Sequence, residues 1–304
     1  MNEIRLGTRS SPLALWQANE AARLLREAGQ SVRLVPIRTT GDLRRDVALG
    51  SIGGKGLFVK ELEEALDRDE IDLAVHSLKD VPSILPERFV LAAFLERGDP
   101  RDAWLQPDGH SIESLPAGAV VATSAPRRRA QLLARFPKLR IEPIRGNVET
   151  RLAKLRRHRY DGLVLARAGL ERLGFGETIA ATFDIDEMIP AAGQAIVAFE
   201  ALRTNRSACE TAELVDNGRS ALAARCERGV LQHLGPRLDC MSCIAVHASF
   251  DADSIVLRAF VSDFDATHII RVTQRGTDAD ALLSSVAEEL CACGAAALLE
   301  EGAA

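Results

Sequence analysis

The feature that most constrains the fold is an alternation of short apolar segments with amphipathic segments, beginning near the N-terminus. Ser11 and Pro12 supply an N-cap and a first-turn proline, which mark the start of a helix directly after an apolar strand. The elements predicted from this pattern are strand Ile4 to Leu6, a helix from Pro12 to about Glu27, strand Val32 to Ile37, a glycine-rich loop Gly50 to Gly56, helix Leu57 to Asp67 and strand Ile71 to Val75. Strands that alternate with helices are typical of a parallel α/β sheet.

The same alternation restarts after Pro116, which predicts a second α/β domain. Its predicted elements are strand Ala119 to Thr123, helix Pro126 to Phe136, strand Arg140 to Ile144, helix Val148 to Arg157 and strand Gly162 to Ala166. A single core has usually stopped growing at 304 residues, so a chain of this length favours several domains.

The last third of the chain has a different order of elements. Met188 to Asp216 is predicted to be mostly helical, and another helix follows Gly218. Three apolar alternating runs and a helix come next, at Ile244 to Phe250, Ile255 to Ser262, His268 to Gln274 and Asp278 to Leu299. Strands followed by a helix predict a small C-terminal α+β domain.

Composition excludes several classes of protein. With 47% hydrophobic and 27% charged residues, the chain is an ordinary globular one rather than disordered or of low complexity. The N-terminal MNEIRLGTRSS lacks an apolar signal segment, and no run is long enough for a membrane span, so we expect a cytoplasmic protein. Six cysteines in the last third are expected to be free thiols.

Positive charge is concentrated between Val120 and Tyr160, which hold twelve Lys or Arg residues against Glu142 and Glu149. Such a segment suits a polyanionic ligand or a nucleic acid. Aromatic residues are only 4% of the chain and its net charge is −5, so we expect no nucleic-acid partner.

Five arginines lie at predicted strand ends or in the first turn of the following helix, where ligands of open α/β sheets bind. Guanidinium groups beside free helix N–H groups would form a trap for carboxylates or phosphates. No Walker A spacing is present, which disfavours nucleotide phosphates. Asp80 follows the strand Ile71 to Val75 and is either a turn residue or a carboxylate that stabilises a developing cation. The arginines are Arg9, Arg127, Arg128, Arg145 and Arg151.

Seven segments, in order along essentially the whole chain, resemble the porphobilinogen deaminase family, also called hydroxymethylbilane synthase. They are Arg9 to Ala18 (RSSPLALWQA), Thr39 to Asp42 (TTGD), Gly53 to Leu62 (GGKGLFVKEL), His76 to Pro82 (HSLKDVP), Gly98 to Asp102 (GDPRD), Arg145 to Leu152 (RGNVETRL) and Ala168 to Gly174 (AGLERLG). The resemblance is weaker after about Gln194.

The resemblance implies two α/β domains like those of periplasmic binding proteins, plus a small C-terminal α+β domain that carries a cofactor cysteine. It implies an enzyme that condenses four porphobilinogen molecules head to tail with loss of ammonia. The units are added to a dipyrromethane linked to the cysteine, and water then releases hydroxymethylbilane. The implied domains are 1–97 with 194–214, 98–193 and 215–304, in a monomer with no metal and no membrane partner.

The resemblance also assigns roles to residues that match the family's motifs. Asp80 matches the catalytic aspartate, and Lys79 flanks it. Residues implied to bind the cofactor are Arg9, Ser11, Lys79, Asp80, Thr123, Ser124, Arg127, Arg128, Arg145 and Gly146. Residues implied to bind substrate are Arg9, Ser11, Phe58, Arg145, Arg151 and Arg172. Lys55 and Lys60 lie in or beside a segment that resembles the family's mobile lid.

Two segments depart from the family pattern. The cofactor loop reads Leu238-Asp239-Cys240-Met241-Ser242-Cys243 and lacks the two glycines usual before the cysteine. Aligning the strand that follows makes Cys240 the expected attachment residue, with Cys243 the alternative. At the other departure, Gly193-Gln194-Ala195-Ile196 replaces the usual Gly-Gln-Gly-Ala, which could stiffen a hinge.

These departures leave open a catalytically impaired homologue that binds anions or tetrapyrroles, or acts as a sensor. Cys240-x-x-Cys243 with Cys291-x-Cys293 could also suggest a zinc site, but the second pair lies in an apolar predicted helix. Retention of Asp80 favours the active enzyme.

Overall fold

A computed structural model describes residues 3–38, 59–157, 160–235, 238 and 242–301. The strands are β1 (Ile4–Arg9), β2 (Val32–Ile37), β3 (Leu73–Ser77), β4 (Phe89–Phe94), β5 (Asp102–Leu105), β6 (Val120–Ala122), β7 (Arg140–Glu142), β8 (Gly162–Ala166), β9 (Ala181–Thr182), β10 (Val197–Leu202), β11 (Ile244–Asp251), β12 (Ser254–Ser262) and β13 (Ile269–Gly276). The helices are α1 (Pro12–Glu27), α2 (Lys60–Asp67), α3 (Pro126–Arg135), α4 (Val148–Arg156), α5 (Arg167–Arg172), α6 (Arg206–Glu213), α7 (Gly218–Leu234), α8 (Ala279–Ala292) and α9 (Ala295–Glu301).

The chain divides into two compact units. One comprises Met1–Gly98 and Ala195–Leu222, and the other comprises Asp99–Gln194 and Ala223–Ala304. The second unit contains both the second α/β sheet and the C-terminal α+β segment, so the expected fold class is observed. The three domain boundaries inferred from the sequence stay a prediction.

The first unit is built on a five-stranded sheet in the order β2-β1-β3-β10-β4. β1 runs parallel to β2 and β3, whereas β10 runs antiparallel to β3 and β4. The prediction of parallel strands is therefore confirmed for β1, β2 and β3. The sheet is mixed because β10, which returns from the second half of the chain, enters in the opposite direction.

β10 also corrects the prediction that Met188 to Asp216 is mostly helical. Its sequence, VAFEAL, contains good helix formers, but the segment is almost entirely buried between two neighbouring strands. Pairing on both sides satisfies its main-chain groups, and this tertiary context overrides the local helix propensity.

Helices cover both faces of this sheet. The small side chains of α1, including Ala18 and Ala21, allow the helix to pack closely against Leu6, Val75 and Phe199. Residues of α2 pack on the opposite face, against Ala74 and Phe89; they are Leu62, Ala65 and Leu66. The chain from β1 into α1 and the chain after β3 therefore both emerge at the carboxyl edge of a buried sheet.

The α/β part of the second unit has the strand order β7-β6-β8-β5-β9. β6 runs parallel to β7 and β8, and β5 is antiparallel to β8 and β9. Trp104 of β5 is fully buried, and its ring packs so closely on Gly162 that a Cβ there would overlap it. Here glycine is required by close approach rather than by backbone conformation.

The C-terminal segment forms an antiparallel sheet in the order β11-β12-β13, against which α8 and α9 pack. Asp278 caps α8 through bonds from the amides of Asp280 and Ala281. The single helix predicted from Asp278 to Leu299 is wrong at one point, because Gly294 has a φ of +92° and separates α8 from α9. Among the described residues, no helix has the length and apolar character needed to span a membrane.

Candidate active site

The carboxyl edge of the first sheet brings Arg9, Ser11 and Asp80 together. Arg9 is the last residue of β1, Ser11 caps α1 by accepting a bond from the Ala14 amide, and Asp80 ends the 3₁₀ turn Leu78–Asp80 after β3. All three line a cavity of about 50 Å³.

The end of β3 is tied to α1 by a buried amide. Gln17 Nε2 donates to Ser77 Oγ at 2.7 Å, and Ser77 Oγ lies 3.1 Å from Gln17 Oε1. The turn that follows is held by main-chain bonds, from Leu78 N to Ile196 O and from Val81 N to Leu78 O. These contacts fix the main chain that carries the half-buried residues Lys79 and Asp80.

A buried group of titratable residues lies beside this edge. His76 Nε2 is 2.8 Å from Glu200 Oε2, and their side chains are 3% and 0% exposed. Glu63 of α2 is half-buried nearby, and burial together with the Glu200 carboxylate raises the pKa of Glu63 to about 7. His76 also lines the cavity that contains Asp80.

In the second unit, Arg127 and Arg128 share one buried carboxylate. Arg127 Nη1 lies 2.7 Å from Asp102 Oδ2, and Arg128 Nη2 lies 2.9 Å from Asp102 Oδ1. Burial favours the neutral form of Asp102, but the two guanidinium groups outweigh it and hold the pKa of Asp102 below its usual range. Burial and the adjacent Arg127 lower the pKa of Arg128, although Asp102 opposes them.

Gln194 completes this network. Its Oε1 accepts from Arg127 Nη2 at 3.0 Å, while its Nε2 donates to Pro100 O and to Asp102 Oδ1. Arg127 also donates to Ile189 O. The two arginines predicted to bind a ligand are therefore held in defined positions by several protein acceptors.

Thr123 and Ser124 connect β6 to α3. Ser124 Oγ donates to Ile144 O at 2.5 Å and accepts from Ile144 N at 2.9 Å. The Thr123 amide donates to Glu142 O. Both residues thus join the β6 end to the segment that leads from β7 to Arg145.

The loop before α4 holds Arg145, Gly146 and Arg151. Gly146 has a φ of +113°, and a Cβ there would meet Thr150, so this turn requires glycine. Arg151 Nε donates to Gly146 O at 2.7 Å. Within the described residues, the half-buried Arg145 guanidinium makes no hydrogen bond or ion pair, which leaves its donors for an anion.

The other predicted site residues are spread along the chain. Arg172 ends α5 and is half-buried, whereas Lys60 begins α2 and is largely exposed, 3.9 Å from Glu64. Cys240, Lys55 and Phe58 lie outside the described residues.

Five cysteines lie within the described ranges, and all are free thiols: Cys209, Cys226, Cys243, Cys291 and Cys293. Cys243 is buried, and burial with the nearby Asp263 raises the pKa of its thiol to about 11. A thiol with so high a pKa stays protonated at neutral pH and is a poor nucleophile. No group of three or more His, Cys, Asp or Glu residues in the described part of the chain could hold a metal ion.

Sequence reasoning misses four supporting residues, Gln17 and Glu200 in the first unit and Asp102 and Gln194 in the second. The signal for Gln17 is that it is a polar residue among the mostly small apolar residues on the buried face of α1. Asp102 belongs to the quoted GDPRD motif, but nothing local indicates its arginine partners. Glu200 is missed because the segment around it is predicted to be mostly helical, whereas Val197–Leu202 is a strand.

Two family models match the chain. Residues 4–210 match "Porphobilinogen deaminase, dipyromethane cofactor binding domain", and residues 221–292 match "Porphobilinogen deaminase, C-terminal domain". Curated relatives include porphobilinogen deaminases from Geobacter sulfurreducens, 43% identical over 99% of this chain and 95% of the relative, and Syntrophotalea carbinolica, 44% identical over 97% and 95%. The protein of that name from Acidithiobacillus ferrooxidans is 40% identical over 99% and 98%.

Solved structures with a similar arrangement include the methionine binding protein MetQ, with a TM-score of 0.45 and 14% identity over 73% of this chain and 90% of that one. A periplasmic substrate-binding protein of an ABC transporter from Coxiella burnetii has a TM-score of 0.44 and 15% identity over 73% and 95%.

Proposed function

The chain belongs to the porphobilinogen deaminase family, and we propose that it condenses four porphobilinogen molecules head to tail with release of ammonia, then hydrolyses off linear hydroxymethylbilane. The observation that carries this proposal is the shared cavity of Asp80, Arg9 and Ser11 at the carboxyl edge of the first sheet. The comparisons offer no support for the impaired or sensor homologue.

The proposed role of Asp80 follows from the charge that the reaction develops. Loss of ammonia from porphobilinogen leaves an electron-poor pyrrole, and a carboxylate that accepts from the pyrrole N–H stabilises this cation. The main-chain bonds of the Leu78–Asp80 turn pre-position that carboxylate, so little reorganisation accompanies the charge development. Lys79 and Arg9 supply positive charge beside it for the acidic side chains of the substrate.

A dipyrromethane carries pyrrole N–H donors and carboxylate side chains. The first unit offers the Asp80 carboxylate as an acceptor for such donors, and the second unit offers the Arg145 guanidinium as a partner for a carboxylate. When bound, the cofactor supplies the pyrrole carbon onto which the first unit is added. The residues proposed to hold it are Arg9, Ser11, Lys79, Asp80, Thr123, Ser124, Arg127, Arg128, Arg145 and Gly146.

Cys240 is the proposed attachment residue. The raised thiol pKa of the alternative, Cys243, supports this choice because attachment requires a nucleophilic sulfur. Substrate carboxylates are proposed to bind Arg9, Ser11, Arg145, Arg151 and Arg172 together with Phe58, and Lys55 and Lys60 are proposed lid residues.

We further propose that the protein is a cytoplasmic monomer that binds no nucleic acid and acts on a small pyrrole substrate. Its proposed domains are 1–97 with 194–214, 98–193 and 215–304. The scarcity of aromatic side chains and the net charge of −5 support the absence of a nucleic-acid partner.

The proposal is tested by measuring the intact mass of the purified chain, followed by peptide mapping of the segment with Cys240 and Cys243. We expect an added mass of two pyrrole units on Cys240, together with consumption of porphobilinogen and release of ammonia. Cys240→Ser should lack the adduct, whereas Cys243→Ser should retain it. An unmodified wild-type chain that stays unmodified after incubation with porphobilinogen or hydroxymethylbilane would refute the proposal.

A further inference from the structure

The buried pair of His76 and Glu200 lies on the sheet face that α2 covers. In the antiparallel register of β3 and β10, Glu200 is opposite Ala74, so its side chain shares a face with that of His76. Leu62 and Leu66 of α2 pack on the same face. The 2.8 Å separation of His76 Nε2 from Glu200 Oε2 therefore lies in the interior of the first unit.

An isolated carboxylate in such a place is costly, since burial removes its hydration. Within the described residues, neither oxygen of the Glu200 carboxylate nor His76 Nε2 makes a hydrogen bond. The imidazole, whose Nε2 lies 2.8 Å from Oε2, is the polar group that faces the buried carboxylate. From α2, Glu63 interacts electrostatically with both His76 and Glu200, and Arg88 and Asp67 are the other charges that act on it. If the His76–Glu200 pair served stability alone, two apolar residues of similar volume would stabilise the unit equally well.

His76 also reaches the cavity that contains Asp80, four residues further along the chain. An imidazole that borders a reaction cavity and has a carboxylate behind it is the arrangement that stabilises the imidazolium formed when histidine accepts a proton. Asp80 is proposed to stabilise the cation, and each condensation also releases a proton that needs an acceptor.

The bonds that break and form in one condensation show why a proton acceptor is required. The carbon–nitrogen bond of porphobilinogen breaks, and ammonia leaves with the electron pair. A new carbon–carbon bond then forms at the free α-carbon of the preceding pyrrole. The hydrogen on that carbon must leave as a proton while its bonding pair returns to the ring.

We propose that His76, supported by Glu200, accepts this proton, an inference that rests on the proposed function. Nε2 faces Glu200, and Nδ1 is the nitrogen that accepts the proton from the ring carbon. The half-buried Glu63 takes part in the return of the proton to solvent, because it couples electrostatically to the pair and is partly exposed.

The test uses the holoenzyme and porphobilinogen carrying deuterium at its free α-carbon. General base catalysis contributes about 10²–10⁴-fold, so His76→Gln is expected to lower kcat about 100-fold. Glu200→Gln, which keeps the base but removes its charged support, is expected to lower kcat about 10-fold. In both variants deuterium should slow turnover more than in the wild type, while the rate of ammonia release in a single turnover stays unchanged.

His247→Gln is a matched control, since His247 is also buried and its Nδ1 lies 3.4 Å from Glu227 in the other unit. This variant should show no enlarged isotope effect, whatever its stability. If His76→Gln fails to fold, as judged by circular dichroism, the isotope effect of Glu200→Gln tests whether His76 accepts the proton. An unchanged kcat, or a loss of kcat without an enlarged isotope effect, would overturn the inference. A wild-type enzyme that consumes no porphobilinogen would instead overturn the proposed function.

Discussion

Replacing Asp102 with asparagine removes the single carboxylate that neutralises two buried arginines. Asp102 is fully buried, and the side chains of Arg127 and Arg128 are only 6% and 7% exposed. Removing one partner of a buried ion pair costs about 3–5 kcal/mol, because it leaves an uncompensated buried charge. We expect Asp102→Asn to lower the free energy of unfolding by about 4 kcal/mol.

Charge balance gives a sharper form of this prediction. Asp102→Asn/Arg128→Gln removes one of the two surplus charges, so its destabilisation should be smaller than the sum of the losses in the two single variants by about 1–3 kcal/mol.

The destabilisation by Asp102→Asn should also depend on pH. The pKa of Asp102 is lower in the folded chain than the value of about 3.9 in the unfolded chain. The contribution of its carboxylate to the free energy of unfolding is therefore complete above about pH 3.9 and is lost as the pH falls towards the pKa of the folded state. The difference in the free energy of unfolding between wild type and Asp102→Asn should therefore become smaller below about pH 4.

Equilibrium unfolding in urea measures these differences through the transition midpoint. Asp99→Asn is the matched control, because Asp99 pairs with Arg101 and Arg167 at 2.6 and 3.3 Å but is partly exposed. A partly exposed pair contributes about 1 kcal/mol or less. If Asp102→Asn costs no more than Asp99→Asn, the reasoning is refuted, because solvent must then reach the two guanidinium groups.

Four other substitutions test three separate parts of the structure. Asp80→Asn should nearly abolish ammonia release while the unfolding midpoint stays close to that of the wild type; normal turnover would remove Asp80 from the mechanism. Ala195 and Ala252 have φ values of +71° and +50°, which strain a residue with a Cβ. Ala195→Gly and Ala252→Gly should therefore each stabilise the chain by about 0.5–1 kcal/mol. A loss of stability in both variants would contradict this backbone strain. Glu63→Gln should leave the free energy of unfolding unchanged below about pH 3.5, where the carboxyl group of Glu63 is neutral in both the folded and the unfolded chain. At pH 8 the substitution should raise the free energy of unfolding by about 1 kcal/mol, since ionisation penalises a carboxyl whose pKa is raised in the fold; an unchanged value at pH 8 would exclude the burial effect.

Local patterns were sufficient to predict the first helix and the site residues at its start. Ser11 and Pro12 are the N-cap and first helical residue of α1, as their side chains favour, and Arg9 ends β1. The strand before Asp80 and the segment order of the second α/β sheet were likewise predicted from apolar runs. The break at Gly294 was missed because apolar periodicity continues across it, whereas the backbone does not.

Local side-chain preferences and contiguous motifs are sufficient to predict the α/β class, the strand-end positions of Arg9, Asp80 and Arg145, and the family. Tertiary packing makes Val197–Leu202 a strand, brings Arg127 and Arg128 to the same Asp102 carboxylate, and puts Glu200 beside His76. Each of these pairings joins residues far apart in the chain. Their stability comes from desolvation and from partners that meet only in the folded molecule, so no local pattern in the sequence encodes them.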